Sequence, residues 1–169
     1  QGLHKFSGVT ATVCQLRPDS RGTLKIASAD PAAHPGIVSN YLAVEGDRRV
    51  LLDGMKLVRR TTSQPAFARH VVREHLPGPE VTSDEGLMAY ARAYATTVFH
   101  PCGTCKMGSD PKAVVDARLR VRGLDGLRVA DASIMPAMTS GNTNAPTIMI
   151  GEKAADMILQ DARTTAAAA

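Results

Sequence analysis

The chain has 169 residues, enough for one domain with a hydrophobic core, and its composition, 44% hydrophobic and 21% charged, is that of a globular protein. No run approaches the roughly 18 consecutive apolar residues that a membrane-spanning helix requires, so we expect no membrane span. Lysine and arginine outnumber aspartate and glutamate by 20 to 16, but they are scattered, which argues against a nucleic-acid partner. Three cysteines, an odd number, argue against a disulfide framework and favour a reducing, cytoplasmic location.

The first forty residues predict a β-hairpin followed by an irregular segment. Residues 6–17 alternate in polarity and are rich in Val and Thr, which is typical of a strand. The turn-forming cluster at residues 18–22 separates them from a second strand at residues 23–28, and the pair is typical of a hairpin. Proline and glycine then predict a loop over residues 30–40.

Three helices are predicted in the middle of the chain. The first spans residues 45–62, and a shorter one spans residues 65–75. One face of the first helix is apolar at helical spacing: Leu51, Met55 and Val58. Thr82 and Glu85 have the spacing of a capping box, which predicts that a third helix starts there. Four residues share the apolar side of that helix: Leu87, Ala91, Tyr94 and Val98.

The last third of the chain predicts two short strands and a helix. The strands cover residues 114–123 and 126–133, and the helix covers residues 145–160. Its apolar face is predicted to hold Ile148, Ala155, Ile158 and Leu159, opposite Glu152, Asp156 and Gln160. The alanine-rich end, residues 162–169, is predicted to be a disordered tail.

The segment Phe99–Gly108, with the sequence FHPCGTCKMG, carries reactive side chains at short spacing. His100 suits proton transfer near neutral pH, although a lone histidine is more often structural. With Cys102 and Cys105 it forms a His-x-Cys-x-x-Cys pattern, which fits a zinc site or a redox pair. No fourth ligand lies nearby in the sequence, so we predict no metal. Two small buried residues in a tight loop also explain the cysteines.

Asn142 and Asn144 precede the last predicted helix. Asparagine is a favoured N-cap and Pro146 suits the first turn, so capping alone explains the pattern. A second interpretation is functional, because a helix N-terminus presents free N–H groups and the positive end of the helix dipole to a negatively charged ligand. The two interpretations are compatible if Asn144 caps the helix while Asn142 points at a substrate.

Asp131 and Ala132 lie at the end of the predicted strand 126–133. Taken alone, this is a buried strand with a polar end. Ligands gather at the carboxyl ends of strands in open α/β sheets, which gives these two residues a mild functional indication.

The motifs together resemble the C-terminal region of the GMC (glucose–methanol–choline) flavoprotein oxidoreductases. Seven segments occur in the expected order: LRPDSRG (16–22), ASADP (27–31), NYL (40–42), PGPEVTSDE (77–85), FHPCGTCKMG (99–108), VVDARLRVRGLDGLRVADASIMP (114–136) and SGNTNAPTIMIGEKAADMI (140–158). The resemblance covers roughly residues 8–160. The HPCGTCKMG form is most similar to choline dehydrogenases and related bacterial alcohol dehydrogenases.

The resemblance implies an α+β fold, with a mostly antiparallel substrate-domain sheet flanked by helices and a C-terminal segment that completes an FAD-binding α/β domain. Residues 1–97 would be the substrate-domain portion, 98–123 the active-site loop and crossover, and 124–161 the segment completing the FAD domain. No GxGxxG motif follows a strand near the start. We therefore expect the N-terminal FAD-binding half to be missing from this chain.

The resemblance also implies the residues of a site. His100 matches the family's active-site histidine, and Asn142 matches the position of its partner. The remaining matches lie beside FAD: Asp131 and Ala132 along the cofactor, and Asn144, Ala145, Pro146 and Thr147 at the helix start near the flavin.

The activity implied is oxidation of a primary alcohol such as choline to an aldehyde, by hydride transfer to the flavin, with His100 as the candidate base. Because the FAD-binding half is expected to be absent, we predict that this chain alone neither retains FAD nor turns over alcohol, and that it self-associates. A complete enzyme of this kind is compatible with peripheral membrane association. The electron acceptor stays open. The alternatives are a non-catalytic interaction module of the same ancestry and a His/Cys metal or redox domain.

Overall fold

The computed structural model describes residues 4–168, which divide into two compact units. The first unit consists of the chain up to Gln15 together with Tyr41–Val98, and the second of Leu16–Asn40 together with the chain from Phe99 onward. Helices and one small antiparallel sheet make up the regular structure of the described residues. None of the helices in this part of the chain is long and apolar enough to cross a membrane.

The first unit is helical. Helix α1 spans Glu45–Thr62, as the sequence predicts, and helix α2 spans only Pro65–Ala68, which is shorter than predicted. Acidic residues in the first turn of α1 and Arg59 and Arg60 in its last turn complement the helix dipole. The Arg59 guanidinium also binds Glu74, with Nη2 2.7 Å from Oε1, and donates to the Gly78 carbonyl. These contacts fix the non-helical segment that follows α2.

Helix α3 spans Asp84–Tyr94 and carries the most buried side chains of the first unit. Its N-cap is Ser83, whose hydroxyl accepts a hydrogen bond from the Gly86 N–H at 3.1 Å, so the predicted capping box at Thr82 is displaced by one residue. The buried face is formed by Leu87, Met88 and Ala91. The predicted apolar face is wrong at its end, because Tyr94 is 51% exposed and Val98 lies beyond the helix.

The second unit contains a hairpin whose pairing differs from the prediction. Strand β1, Thr23–Lys25, pairs antiparallel with strand β2, Gly36–Val38. Residues 6–17 are not a strand, and the segment predicted as a loop supplies the partner of β1. Asp30 forms the turn between the strands: its carboxylate accepts from the Ala32 N–H and its carbonyl from the Ala33 N–H. Such a local turn brings β1 and β2 together without a distant segment.

The two strands predicted between residues 114 and 133 are also wrong. Only isolated bridges form there, joining Val115 to Val121 and Arg120 to Arg128. The Asp116 carboxylate accepts hydrogen bonds from the backbone N–H groups of Arg118 and Arg120, which bends the chain into a turn. Leu119 has a positive φ of 65°, a conformation outside the β region. Local turn formation therefore replaces an extended ladder.

Helix α4 spans Asn144–Ala168. It begins one residue before the predicted start and includes most of the segment 162–169 that we predicted as a disordered tail. Alanine has the highest helix propensity, which explains the extension. The predicted apolar face is not the buried one: Ile148, Ile158 and Leu159 are about half exposed, whereas Ile150 and Ala154 are buried. Helix α4 is thus apolar on two sides. The core of this unit covers the side with Ile150 and Ala154, and the side with Ile158 and Leu159 is exposed.

One hydrophobic core organises the second unit. Its buried members are Val115, Leu119, Ile134, Met135, Ile150 and Ala154. Cys102 and Met107 of the FHPCGTCKMG segment pack against it, so the same core holds that segment, the 3₁₀ turn Ala132–Ile134 and helix α4. Asp161 on α4 adds a polar contact, because Arg118 and Arg128 both bind its carboxylate.

Candidate active site

His100 is held between two conformationally restricted neighbours. Phe99 has a φ of 60°, which costs a residue with a side chain about 1–2 kcal/mol. Pro101 follows, and a residue before proline is confined to extended conformations. Backbone strain of this kind concentrates at functional sites, where the surrounding structure enforces it. His100 is half-buried, whereas the Phe99 ring beside it is 80% exposed.

The loop that follows His100 is fastened to the 3₁₀ turn Ala132–Ile134 by backbone hydrogen bonds. Cys105 N–H donates to the Ser133 carbonyl at 2.9 Å, and Met107 N–H donates to the Ile134 carbonyl at 2.7 Å. Gly103 has a φ of 86°, and a Cβ at this position would lie 3.2 Å from the Met135 carbonyl oxygen. The positive φ therefore favours glycine, and an added Cβ would also be in tight contact with the Met135 carbonyl.

Thr143 joins His100 to helix α4. Its Oγ1 lies 2.9 Å from His100 Nδ1, and Thr143 is only 8% exposed. The Thr143 carbonyl accepts from the backbone N–H of Thr147 at 3.0 Å and from its hydroxyl at 2.6 Å. The first turn of α4 thus fixes Thr143, and Thr143 holds the imidazole by one nitrogen.

The structure brings several of the sequence-predicted residues into this neighbourhood. Asn142 and Asn144 flank Thr143, and both are exposed. Asn144 is the first residue of α4 and is followed in its first turn by Ala145, Pro146 and Thr147. Thr143 was not among the residues predicted from the sequence. Its position close to a predicted helix start was the available signal, because Thr is a favoured N-cap residue, although less favoured than Asn.

Asp131 caps the 3₁₀ turn that lies beside the His100 loop. Its carboxylate accepts a hydrogen bond from the Ser133 N–H at 2.7 Å. Hydrogen bonds from Ser133 lower the pKa of Asp131, with the side chain of Ser133 having the larger effect and its backbone N–H the smaller. Asp131 is therefore an ionised, largely exposed carboxylate at neutral pH, and the adjoining Ala132 packs against the core. The strand predicted to precede these residues is absent.

A second tether reaches the segment before Asn142. Arg17 Nε donates to Ser140 Oγ at 2.5 Å. The contact joins the LRPDSRG segment to the loop that leads into α4, within the second unit. Neither residue was among the predicted site residues, because a contact between segments so far apart in sequence leaves no local pattern.

The cysteines do not assemble a metal site in the described part of the chain. Cys14, Cys102 and Cys105 are free thiols. Among residues 4–168, no three His, Cys, Asp or Glu side chains are grouped so that they could hold a metal ion. Burial raises the pKa of the Cys102 thiol, against a smaller opposing effect of Arg21. The Cys102 side chain packs against the core, which agrees with a structural role.

A family model described as GMC oxidoreductase matches residues 18–151, most of the chain. The chain belongs to the GMC oxidoreductase family. The match includes the His100 loop, the 3₁₀ turn and the start of α4, so it contains the neighbourhood described above. The family predicted from the sequence motifs is confirmed.

Named GMC relatives are alcohol and choline dehydrogenases. The chain is 49% identical over 153 residues to an alcohol dehydrogenase [acceptor] from Pseudomonas putida, covering 90% of this chain and 28% of that protein. It is 51% identical over 154 residues to an oxygen-dependent choline dehydrogenase from Escherichia coli strain 536, covering 91% of this chain and again 28% of the relative. The chain therefore spans little more than a quarter of the length of these relatives.

A solved GMC-like structure supports the fold. The FAD-dependent oxidoreductase from Chaetomium thermophilum superposes with a TM-score of 0.81 at 32% sequence identity, covering 88% of this chain and 26% of that protein. The mixed architecture of helices and a small antiparallel sheet is thus shared with part of that larger protein.

Proposed function

We propose that this chain is the C-terminal portion of an FAD-dependent, choline-like alcohol dehydrogenase that oxidises a primary alcohol to an aldehyde. The observation that carries the proposal is the contact between His100 Nδ1 and Thr143 Oγ1. It holds a histidine that can accept a proton against the start of α4, where Asn142 and Asn144 lie. This is the juxtaposition that the family resemblance implies for the two groups that handle the alcohol.

The residues assigned to FAD fit such a cofactor in kind. Helix α4 leaves Asn144 and Ala145 exposed at its N-terminus, and N–H groups at this end of a helix favour negatively charged ligands. Pro146 and Thr147 complete this first turn. Asp131 and Ala132 are held beside the His100 loop by the shared core. When bound, FAD supplies the acceptor for the hydride that leaves the alcohol carbon.

His100 and Asn142 divide the work on the alcohol oxygen. His100 Nε2 takes the hydroxyl proton, while the Asn142 side-chain amide donates a hydrogen bond to the same oxygen. Both groups stabilise the negative charge that develops there as the proton leaves. His100 lies on a conformationally restricted loop and Asn142 on a tethered one. Together they orient the hydroxyl group of the alcohol before the reaction.

The finer architecture follows from the same proposal. Residues 1–97 belong to the substrate domain, whose larger, mostly antiparallel sheet the rest of the enzyme completes. Residues 98–123 form the active-site loop and crossover, and residues 124–161 complete the FAD-binding domain, from which helix α4 continues to Ala168. The partner of this chain is then the N-terminal FAD-binding half of the enzyme, and the second apolar side of α4 offers it a surface.

Choline is the substrate that the named relatives support best. A quaternary ammonium group binds best against aromatic rings. The chain contains only 4% aromatic residues and no Trp, so most of an aromatic cage must come from the N-terminal half. Phe99, exposed beside His100, is the aromatic side chain of this chain placed to contribute to the cage.

Visible absorbance tests the cofactor part of the proposal. The purified chain is expected to stay colourless with added FAD, and to gain a bound-flavin spectrum when the N-terminal half is supplied. A bound-flavin spectrum from the chain alone would show that it builds a cofactor site without the other half.

Turnover of choline by the complete enzyme, expressed from the full reading frame, tests the catalytic part. His100→Ala is expected to lower kcat/KM by about 10²–10⁴-fold. Asn142→Ala is expected to lower it as well. Retention of wild-type turnover by His100→Ala would contradict the proposal.

A further inference from the structure

We infer that Thr143 is a positioning residue that keeps the proton of neutral His100 on Nδ1, so that the lone pair of Nε2 faces the alcohol. The inference deepens the proposed function and rests on it, because it takes His100 as the base. Thr143 belongs to no site predicted from the sequence.

The hydrogen bond between the two residues admits two arrangements. In one, His100 Nδ1–H donates to Thr143 Oγ1, and Nε2 is unprotonated. In the other, the Thr143 hydroxyl donates to Nδ1, and the imidazole proton is on Nε2. The hydrogen bond made by one ring nitrogen sets the protonation of the other. Only the first arrangement leaves Nε2 able to accept the hydroxyl proton.

Both partners are restrained before any substrate arrives. Thr143 is buried, its carbonyl is engaged twice by Thr147, and its branched side chain has few rotamers. His100 is restrained by the positive φ of Phe99 and by Pro101. The 2.9 Å contact is therefore built into the fold, which is the condition for a preorganised base.

Proton transfer is compatible with the first arrangement without rearrangement. The O–H bond of the alcohol breaks, and its proton forms a new N–H bond at Nε2. The imidazolium that results still donates from Nδ1–H to Thr143 Oγ1, so the same contact supports the ring before and after the step. In the second arrangement Nε2 already carries the ring proton and has no lone pair, so it cannot accept the proton of the alcohol.

Nuclear magnetic resonance of the ¹⁵N-histidine-labelled chain tests the tautomer directly. Two-bond ¹H–¹⁵N spectra, recorded at a pH where the imidazole is neutral, distinguish a protonated ring nitrogen from one with a lone pair. The His100 signals are assigned by their loss in His100→Gln. We expect a protonated Nδ1 and an unprotonated Nε2 in the wild-type chain and in Thr143→Ser, which keeps the hydroxyl. Thr143→Val is expected to give a mixture of tautomers.

Thr139→Val is the matched control, because Thr139 lies in the same loop and its hydroxyl bonds to the Gly141 carbonyl instead of His100. It should leave the His100 signals unchanged. Circular dichroism of each variant checks that the helices are retained. A wild-type spectrum with the proton on Nε2, or a folded Thr143→Val with unchanged His100 signals, would overturn the inference.

Steady-state kinetics of the complete enzyme give a second readout. Thr143→Val is expected to lower kcat by about 10–100-fold with little change in KM, while Thr143→Ser stays close to wild type. If Thr143→Val and Thr143→Ser both impaired the enzyme, with kcat and KM changed by similar factors, the role of Thr143 would be merely structural and the inference would be overturned. Failure of the proposed function has a different signature, because His100→Ala would then retain turnover whatever the spectra show.

Discussion

Arg17 Nε donates to Ser140 Oγ at 2.5 Å although the two residues are 123 positions apart in the sequence. This bond restrains the loop just before Asn142, and the Thr143–His100 contact restrains it just after Asn142. The loop is thus tethered at both of its ends, first by Arg17 at Ser140 and then by His100 at Thr143.

The Arg17–Ser140 tether is expected to make a small, specific contribution. Because the pair is exposed, Ser140→Ala should lower the free energy of unfolding by only about 0.5 kcal/mol. Chemical denaturation of Arg17→Gln, Ser140→Ala and the double variant forms a cycle that isolates the pair. Additive effects of the two single substitutions would show that the bond contributes nothing to stability.

Gly103 is expected to resist substitution more strongly than a glycine that has open space around it and lies in a helix. Gly103→Ala forces a side chain into a positive φ, 3.2 Å from the Met135 carbonyl, and should destabilise the chain by about 1–2 kcal/mol. The matched control is Gly151→Ala in α4, where an added Cβ meets nothing within 4 Å. That change should stabilise by about 0.5–1 kcal/mol. Denaturant midpoints that shift in the same direction for both variants would contradict this account.

Alkylation kinetics should separate the thiols. Burial raises the pKa of Cys102, so at neutral pH its thiolate fraction is smaller than that of an ordinary thiol. Cys14 is exposed and should be modified by iodoacetamide before Cys102. The Cys102 rate should rise at a more alkaline pH than that of an ordinary thiol. Mass spectrometry of timed samples that finds Cys102 modified first would favour a reactive, redox-type loop.

Acid should weaken the anchoring of α4. Hydrogen bonds from Arg128, and then from Arg118, lower the pKa of Asp161 in the folded chain. A lowered folded pKa means that the stabilisation is present above the unfolded pKa of about 3.9 and is lost as the pH falls through the folded value. Asp161→Asn should therefore lower Tm at neutral pH, and the difference from wild type should shrink in acid. A Tm difference that is constant from pH 7 to pH 2 would exclude this linkage.

The isolated chain is expected to self-associate. Large apolar side chains are exposed on the hairpin and on the second side of α4, among them Leu24, Ile37, Val38, Ile158 and Leu159. Leu24 and Ile37 are partners across the hairpin, so their apolar side chains are neighbours, and an exposed apolar patch normally marks an interface. Light scattering over a dilution series should show particles larger than a monomer, and a clean monomer at every concentration would count against the prediction.

Helix α1 and the family could be predicted from the sequence because both depend on local information. The periodic face of Leu51, Met55 and Val58 defines a helix by itself, and all three are half-buried. The buried face of α4 could not be predicted in this way. Since α4 is apolar on two sides, the choice between Ile150 and Ile158 depends on which neighbours pack against it.

The strands and the contacts at the site could not be predicted from the sequence, for related reasons. The sequence of residues 6–17 has strand propensity, but a strand also needs a partner, and the turn at Asp30 gives that role to β2. The motifs pointed to His100 and to the start of α4, which the structure places close together. The contact of Thr143 with His100 depends on three-dimensional packing, which the sequence pattern does not show. The two neighbouring asparagines gave the stronger sequence signal.

The interleaving of the two units has a consequence for synthesis on the ribosome. Leu16–Asn40 leaves the ribosome well before the rest of its unit, which begins at Phe99. All of Tyr41–Val98 is translated in between, which takes several seconds at roughly 5–20 residues per second. The residues of the helical unit have therefore all been translated while the β1–β2 hairpin still lacks the core residues of its own unit. Because Arg17 meets Ser140, the loop that carries Asn142 is secured only after Ser140 has emerged.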